Sequence, residues 1–223
     1  MRFLESSVGR KLVMTVSGLS MIGFVIIHLL GNTSLYYGPD SINAYAKALH
    51  KFPPLLWGFR LVMLIMVSLH VFYGISLTLE NRGAKTGKYA VRENVRSTFA
   101  GRSMIWTGLF IGAFIIYHLL HFTFQVIDLG TAAVSHADAL GRPDVFMMVV
   151  LNFRRLAVSS LYVCAMAALG LHLLHSIQSA FQTMGLSSDR TLPFIVTAGA
   201  LAALLISLGY AAFPLSVLAG IIR

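Results

Sequence analysis

Charge is what this sequence most lacks. Only 11% of its 223 residues are Asp, Glu, Lys or Arg, whereas a soluble domain clothes its surface with roughly a quarter. A water-soluble globule is thereby excluded. Cysteine is nearly missing too: the one thiol, Cys164, lies inside an apolar run. There is therefore no disulfide framework, no CxxC pair and no thiolate set for an iron–sulfur cluster. The CxxCH signature of covalently attached haem is also absent. No Asp or Glu lies deep in an apolar run, which leaves no carboxylate relay through hydrocarbon. Neither an internal repeat nor a low-complexity segment is evident.

What is present is apolar and comes in blocks. Hydrophobic residues make up 57% of the chain, in runs of about 20 or more, the length that crosses roughly 30 Å of hydrocarbon at 1.5 Å per residue. Five spans are expected, at about 12–35, 55–79, 103–127, 156–181 and 192–221, forming one all-α membrane domain over residues 1–223. Gly38-Pro39, Pro53-Pro54, Gly83, Gly87, Gly141-Arg142-Pro143 and Gly185 punctuate the intervals. Pro193 suits a first helical turn, while Pro214 should kink or end the last helix. A short interfacial helix from Asp40 to Lys51 is expected, capped by Asp40 or Ser41. The first run resembles a signal peptide in having Arg10 and Lys11 ahead of it. It is too long and lacks a small-residue cleavage site, so it reads as a retained span.

The net charge of +9 does not point to nucleic acid, because the basic residues cluster beside the apolar runs. Arg2, Arg10, Lys11, Arg82, Lys85, Lys88, Arg92, Arg96, Arg102 and Arg190 fall on one side of the five-span layout. Lys47, Lys51, Arg60, Arg142, Arg154, Arg155 and Arg223 fall on the other. The bias places the N-terminus in the cytoplasm.

Histidine carries the chemistry. His28, His70, His118, His121, His172 and His175 fall inside spans, and only His50 and His136 in loops. Ionisable groups in hydrocarbon are costly and mark function by default. His28 and His118 each lie about 24 Å along an ascending span, and His70 and His172 about 14–15 Å from the end of a descending one. Four imidazoles thus form two level pairs, one above the other. Facing imidazoles on different helices can hold a haem iron from both sides. Such an iron has no open position and suits one-electron transfer. Zinc, the competing metal, wants four ligands at one point in its structural sites. His121 and His175, one turn away on nearly the same faces, are the fallback ligands. Gly18, Gly23, Gly74, Gly108, Gly112 and Gly170 flank the histidines, where they would admit either a macrocycle or a neighbouring helix.

These residues resemble a known family, the cytochrome b membrane anchor of succinate dehydrogenases and fumarate reductases in its single-subunit, five-helix, dihaem form. The matching stretches are Ser7-Val8-Gly9-Arg10-Lys11, Ser17-Gly18 with His28-Leu29-Leu30-Gly31-Asn32, Asn43-Ala44-Tyr45, and His70-Val71-Phe72-Tyr73-Gly74. Thr107-Gly108 ahead of His118, and His172 with Gly185, complete them. The resemblance implies that His28 and His118 ligate a distal haem b and His70 and His172 a proximal one. It also implies an iron–sulfur subunit and an FAD-containing flavoprotein as partners, with dicarboxylate chemistry on the latter. Electrons would pass to or from a quinone, usually menaquinone in this branch, in the cell inner membrane. A dimer of the whole complex is compatible with this. Some relatives carry a glutamate two residues before the span-four ligand, as part of a proton path; Gly170 stands there, so that route is not expected.

A quinone needs an apolar slot with a few polar groups at its carbonyls, for which Asn32, Arg60 and His121 are candidates, with Tyr36, His50 and Arg154 nearby. Haem propionates want cationic or hydroxyl donors. Arg154 or Arg155 would serve the distal haem, and Ser17, Arg10 or Lys11 the proximal one. Two other readings stay open. One is the cytochrome b subunit of a hydrogenase or formate dehydrogenase. The other is a histidine-lined transporter, against which the lack of repeats and broken helices counts.

Overall fold

The computed structural model describes residues 5–84, 98–127 and 137–223. The basic cluster Lys85, Lys88, Arg92 and Arg96, together with Arg2, Gly87 and His136, lies outside them. The described residues form helices and no strand; one isolated bridge pairs Ala137 with Pro143. The α-helices are α1 Ser7–Asn32, α2 Pro39–His50, α3 Pro53–Gly83, α4 Phe99–His118, α5 Val145–Phe153, α6 Leu156–Thr183 and α7 Leu192–Leu218. A 3-10 turn, Thr33–Tyr37, extends α1, and a π-helical turn, Leu119–Thr123, extends α4.

Five helical segments are long and apolar enough to cross a membrane: Ser7–Tyr37, Pro53–Gly83, Phe99–Thr123, Leu156–Thr183 and Leu192–Leu218. Their large side chains face outward in numbers no soluble protein tolerates, among them Ile27, Leu64, Trp106 and Leu205. Hydrocarbon is the solvent that suits such a surface. Below, the near end of the bundle is where α1 begins, and the far end is where it stops.

Polar side chains set the helix starts. The Ser6 hydroxyl accepts from the Gly9 N–H, Thr98 from Gly101 and Asp144 from Met147, each satisfying an orphan donor of a first turn. At α2 the expected cap is replaced. Pro39 opens the helix behind Gly38, whose φ of 91° suits glycine. Asp40 instead pairs with Arg142 at 2.7 Å. Pro214 does not end α7, which runs on to Leu218. The proline is fully buried, and its missing N–H costs the helix one ladder bond, to the Tyr210 carbonyl.

Helix α5 was not expected. It lies across the far end with Phe146, Val150, Asn152 and Phe153 buried. Asn43 on α2, 1% exposed, ties this layer together. Its amide donates to Asp138 and Asp144 at 3.3 and 3.2 Å, and its oxygen accepts from the Phe146 N–H at 3.0 Å. Tyr45 lies over Gly31, where any Cβ would come within 2.5 Å of its hydroxyl.

The contacts also reveal a repeat that composition conceals. Residues 14–33 and 104–123 share nine identities in twenty, from Met14 and Met104 through His28 and His118 to Thr33 and Thr123. Each copy packs against a helix running the opposite way, α1 on α3 and α4 on α6. The similarity is confined to α1 and α4; α3 and α6 are their antiparallel partners, and α7 packs beside them as a fifth helix.

Candidate functional site

Helices α1, α3, α4 and α6 bring four imidazoles together in two pairs. The rings of His28 and His118 have centroids 6.1 Å apart, and those of His70 and His172 6.3 Å. A metal–imidazole bond of about 2 Å, plus roughly 1.1 Å from nitrogen to ring centre, puts two rings sharing one metal ~6.2 Å apart. Both pairs match that span. Because Gly108 touches the His172 ring and lies ten residues before His118, the pairs are separated by about 15 Å along the bundle.

The near pair, His70 and His172, is held in matching ways by the two copies of the repeat. His70 Nδ1 bonds the Met14 carbonyl at 3.0 Å. A carbonyl only accepts, so Nδ1 carries the proton and Nε2 keeps its lone pair. His172 Nδ1 lies 3.2 Å from the Thr107 hydroxyl. Thr107 can give its proton to the Ser103 or Met104 carbonyl of its own helix, which leaves its oxygen to accept from His172 Nδ1–H. Metal-bound histidines characteristically fix their tautomer by such a bond.

Close approach is what the glycines supply. A Cβ on Gly18 would lie 3.1 Å from His70 Cε1, and one on Gly108 3.2 Å from His172 Cε1. Both rings therefore lie against bare backbone of the opposite helix. Gly23 and Gly112 have no such neighbour within 4 Å. Gly170 fits against Ser207, whose hydroxyl a Cβ would meet at 2.7 Å, so a glutamate there would have to displace α7.

The far pair, His28 and His118, is oriented differently. Phe24 stacks on His28 at 5.3 Å and 19°, and Tyr210 of α7 flanks it at 6.1 Å. Tyr210 is fixed in turn by donating to the Val25 carbonyl at 2.7 Å. His118 Nδ1 meets the Tyr162 hydroxyl at 3.3 Å. Neither Tyr162 nor Tyr210 was singled out from sequence, although a tyrosine deep in an apolar run is the signal that finds them.

The fallback histidines stand aside. The π turn takes more residues per turn than an α-helix, which swings His121 off the face of His118. His121 is buried and bonded to Tyr162 and Asn152. His175 lies on the backbone of Gly101 at the near end. Neither faces a second imidazole ring among the described residues, and no cluster of three or more metal-binding side chains occurs there.

The remaining expected site residues are scattered. Ser17, 1% exposed, gives its proton to Val13 and Met14 carbonyls of its own helix. Arg10, one turn before Met14, pairs with Glu80 yet keeps a buried Nε–H without a partner. Such an orphan donor, one helical turn from the Met14 carbonyl that His70 meets, fits an anionic group entering from the near end. Arg154 and Arg155 are exposed at the α5–α6 junction. Arg60 lies over Trp57 at 4.9 Å, and Asn32 closes α1. No hydrogen bond or ring contact joins Asn32, Arg60 and His121 among the described residues. His50 bonds its own helix at Ala46, and Tyr36 meets Ser216 at 3.2 Å.

Comparison with protein-family models, with curated proteins and with solved structures gives no match.

Proposed function

We propose that this chain is a dihaem cytochrome b, with the far pair, His28 and His118, binding the distal haem and the near pair, His70 and His172, the proximal one. The observation that carries this is the separation of the rings, 6.1 and 6.3 Å, in two pairs whose members come from different helices. The donor-acceptor logic supports it, since bare Nε2 atoms at His70 and His172 are what a metal requires. Haem held between two imidazoles supplies one-electron transfer, with no position left for oxygen chemistry. The orphan Nε–H of Arg10 suits propionates of the proximal haem, and Arg154 those of the distal one, whereas the Ser17 proton is spent within its own helix.

In this reading the chain is the membrane anchor of a succinate dehydrogenase or fumarate reductase complex in the cell inner membrane. It exchanges electrons between membrane quinone, menaquinone foremost, and an iron–sulfur subunit and FAD-containing flavoprotein on the cytoplasmic side, where its N-terminus lies. Quinone binds at the far end, within reach of Asn32 and Arg60, His121 being committed to Tyr162 and Asn152. The repeat removes one objection to a transporter, so the preference for a cytochrome rests on the imidazole geometry itself.

A reduced-minus-oxidised spectrum of the purified chain tests this. Two b-type haems per chain, reducible by a menaquinol analogue in membrane vesicles, are expected. A colourless protein after expression with ample haem overturns the proposal.

A further inference from the structure

His118 is not anchored to a carbonyl as His70 is. It begins a chain of hydrogen bonds that runs away from the bundle axis into α5. The Tyr162 hydroxyl lies 3.3 Å from His118 Nδ1 and 3.2 Å from His121 Nδ1. His121 Nε2 lies 2.8 Å from Asn152 Oδ1, and Asn152 Nδ2 lies 2.8 Å from the Met148 carbonyl.

The last link sets the direction of all the others. A carbonyl can only accept, so Asn152 must turn its nitrogen to Met148 and its oxygen to His121. His121 therefore carries its proton on Nε2 and accepts at Nδ1. Among the described residues the donor there is the Tyr162 hydroxyl. With its proton so used, the phenol oxygen accepts from His118 Nδ1–H, and His118 Nε2 is left bare. His121 and Asn152 are each 3% exposed and Tyr162 7%, so water does not compete for these bonds. Phe114, Phe153 and Phe122, at 4.9, 5.0 and 5.6 Å, clamp the phenol ring edge-on.

We propose that Tyr162, backed by His121 and Asn152, is a positioning residue that holds His118 in its ligating tautomer and lowers the reduction potential of the distal haem. The inference rests on the dihaem reading. A hydrogen bond accepted from the far nitrogen of a bound imidazole makes that ligand more electron-rich and favours the oxidised, more positive iron. The proximal ligand His70 meets a main-chain carbonyl instead, which no side-chain substitution removes.

The test is an optical redox titration of the full-length haem-loaded chain carrying Tyr162→Phe, whose ring keeps the aromatic clamp. Both haems should remain, with the distal one shifted to higher potential and the proximal one unmoved. Asn152→Leu, at the other end of the chain, should shift the same haem in the same direction by less, and serves if Tyr162→Phe fails to accumulate. Unaltered potentials in a variant that retains both haems overturn the role of Tyr162 and leave the dihaem reading standing. Absence of haem from the unsubstituted chain overturns both.

Discussion

Two of the glycines flanking the histidines have a role that can be told apart from helix packing. Gly18 and Gly108 face imidazole rings, whereas Gly23 and Gly112, on the same two helices, face no atom within 4 Å. Gly18→Leu and Gly108→Leu should each displace a ring of the near pair, at a cost of about 1–3 kcal/mol for overpacking. Haem content should fall from two to one per chain, with the far haem retained. This holds even for Gly18, which shares its helix with His28 of the far pair. Gly23→Ala and Gly112→Ala should leave both haems, as counted by pyridine haemochrome. At this scale much was legible in sequence, because a histidine in an apolar run stands out by its desolvation cost alone. The tautomers were not legible. They depend on which oxygen meets each Nδ1, and the partners Met14, Thr107 and Tyr162 come from other helices.

At the scale of elements, the far-end layer of α2, α5 and the loop before α5 is held by buried polar contacts as well as by apolar packing on the spans. Asn43 satisfies three partners there, so Asn43→Leu should cost about 2 kcal/mol, the penalty for buried donors and acceptors left unpaired. Thermal unfolding of the detergent-solubilised chain checks this. Burial raises the Asp138 carboxyl, but the Arg142 N–H and guanidinium, the Leu140 N–H and the Asn43 amide outweigh it and bring its pKa down to about 2. A folded pKa below the ordinary value of 3.8 means that the contribution is complete above about pH 4 and is lost as pH falls toward 2. Asp138→Asn should flatten the dependence of thermal stability on pH in that window. The five spans could be read from apolar run length, whereas α5 could not. Val145–Phe153 is nine residues long, too short to cross a bilayer and without a polar face to betray it. Only its burial under α2 gives it a place. The π turn after His118 was hidden for a similar reason, since no residue type announces it.

In the whole molecule two similar helices, α1 and α4, each pack on an antiparallel partner and set one histidine pair above the other. The duplication escaped notice in sequence because apolar helices resemble each other generally. The spacing also differs, with an offset of 90 between His28 and His118 but 102 between His70 and His172. What distinguishes the copies as a repeat is contact. Gly18 and Gly108 present equivalent surfaces to the two near histidines. The copies diverge at the far end, where His28 is held by stacking and His118 by the Tyr162 chain. On this account the two haems differ by construction, one with ligands tied to helix backbone and threonine, the other with a ligand tied through a phenol.

The pairing of the four histidines is tested most directly by haem stoichiometry in the single variants His28→Ala, His118→Ala, His70→Ala and His172→Ala. The account predicts one haem per chain in each, with one residual spectrum shared by the first two and a different one shared by the last two. Any of the four variants retaining two haems, or residual spectra that group His28 with His70, would contradict it.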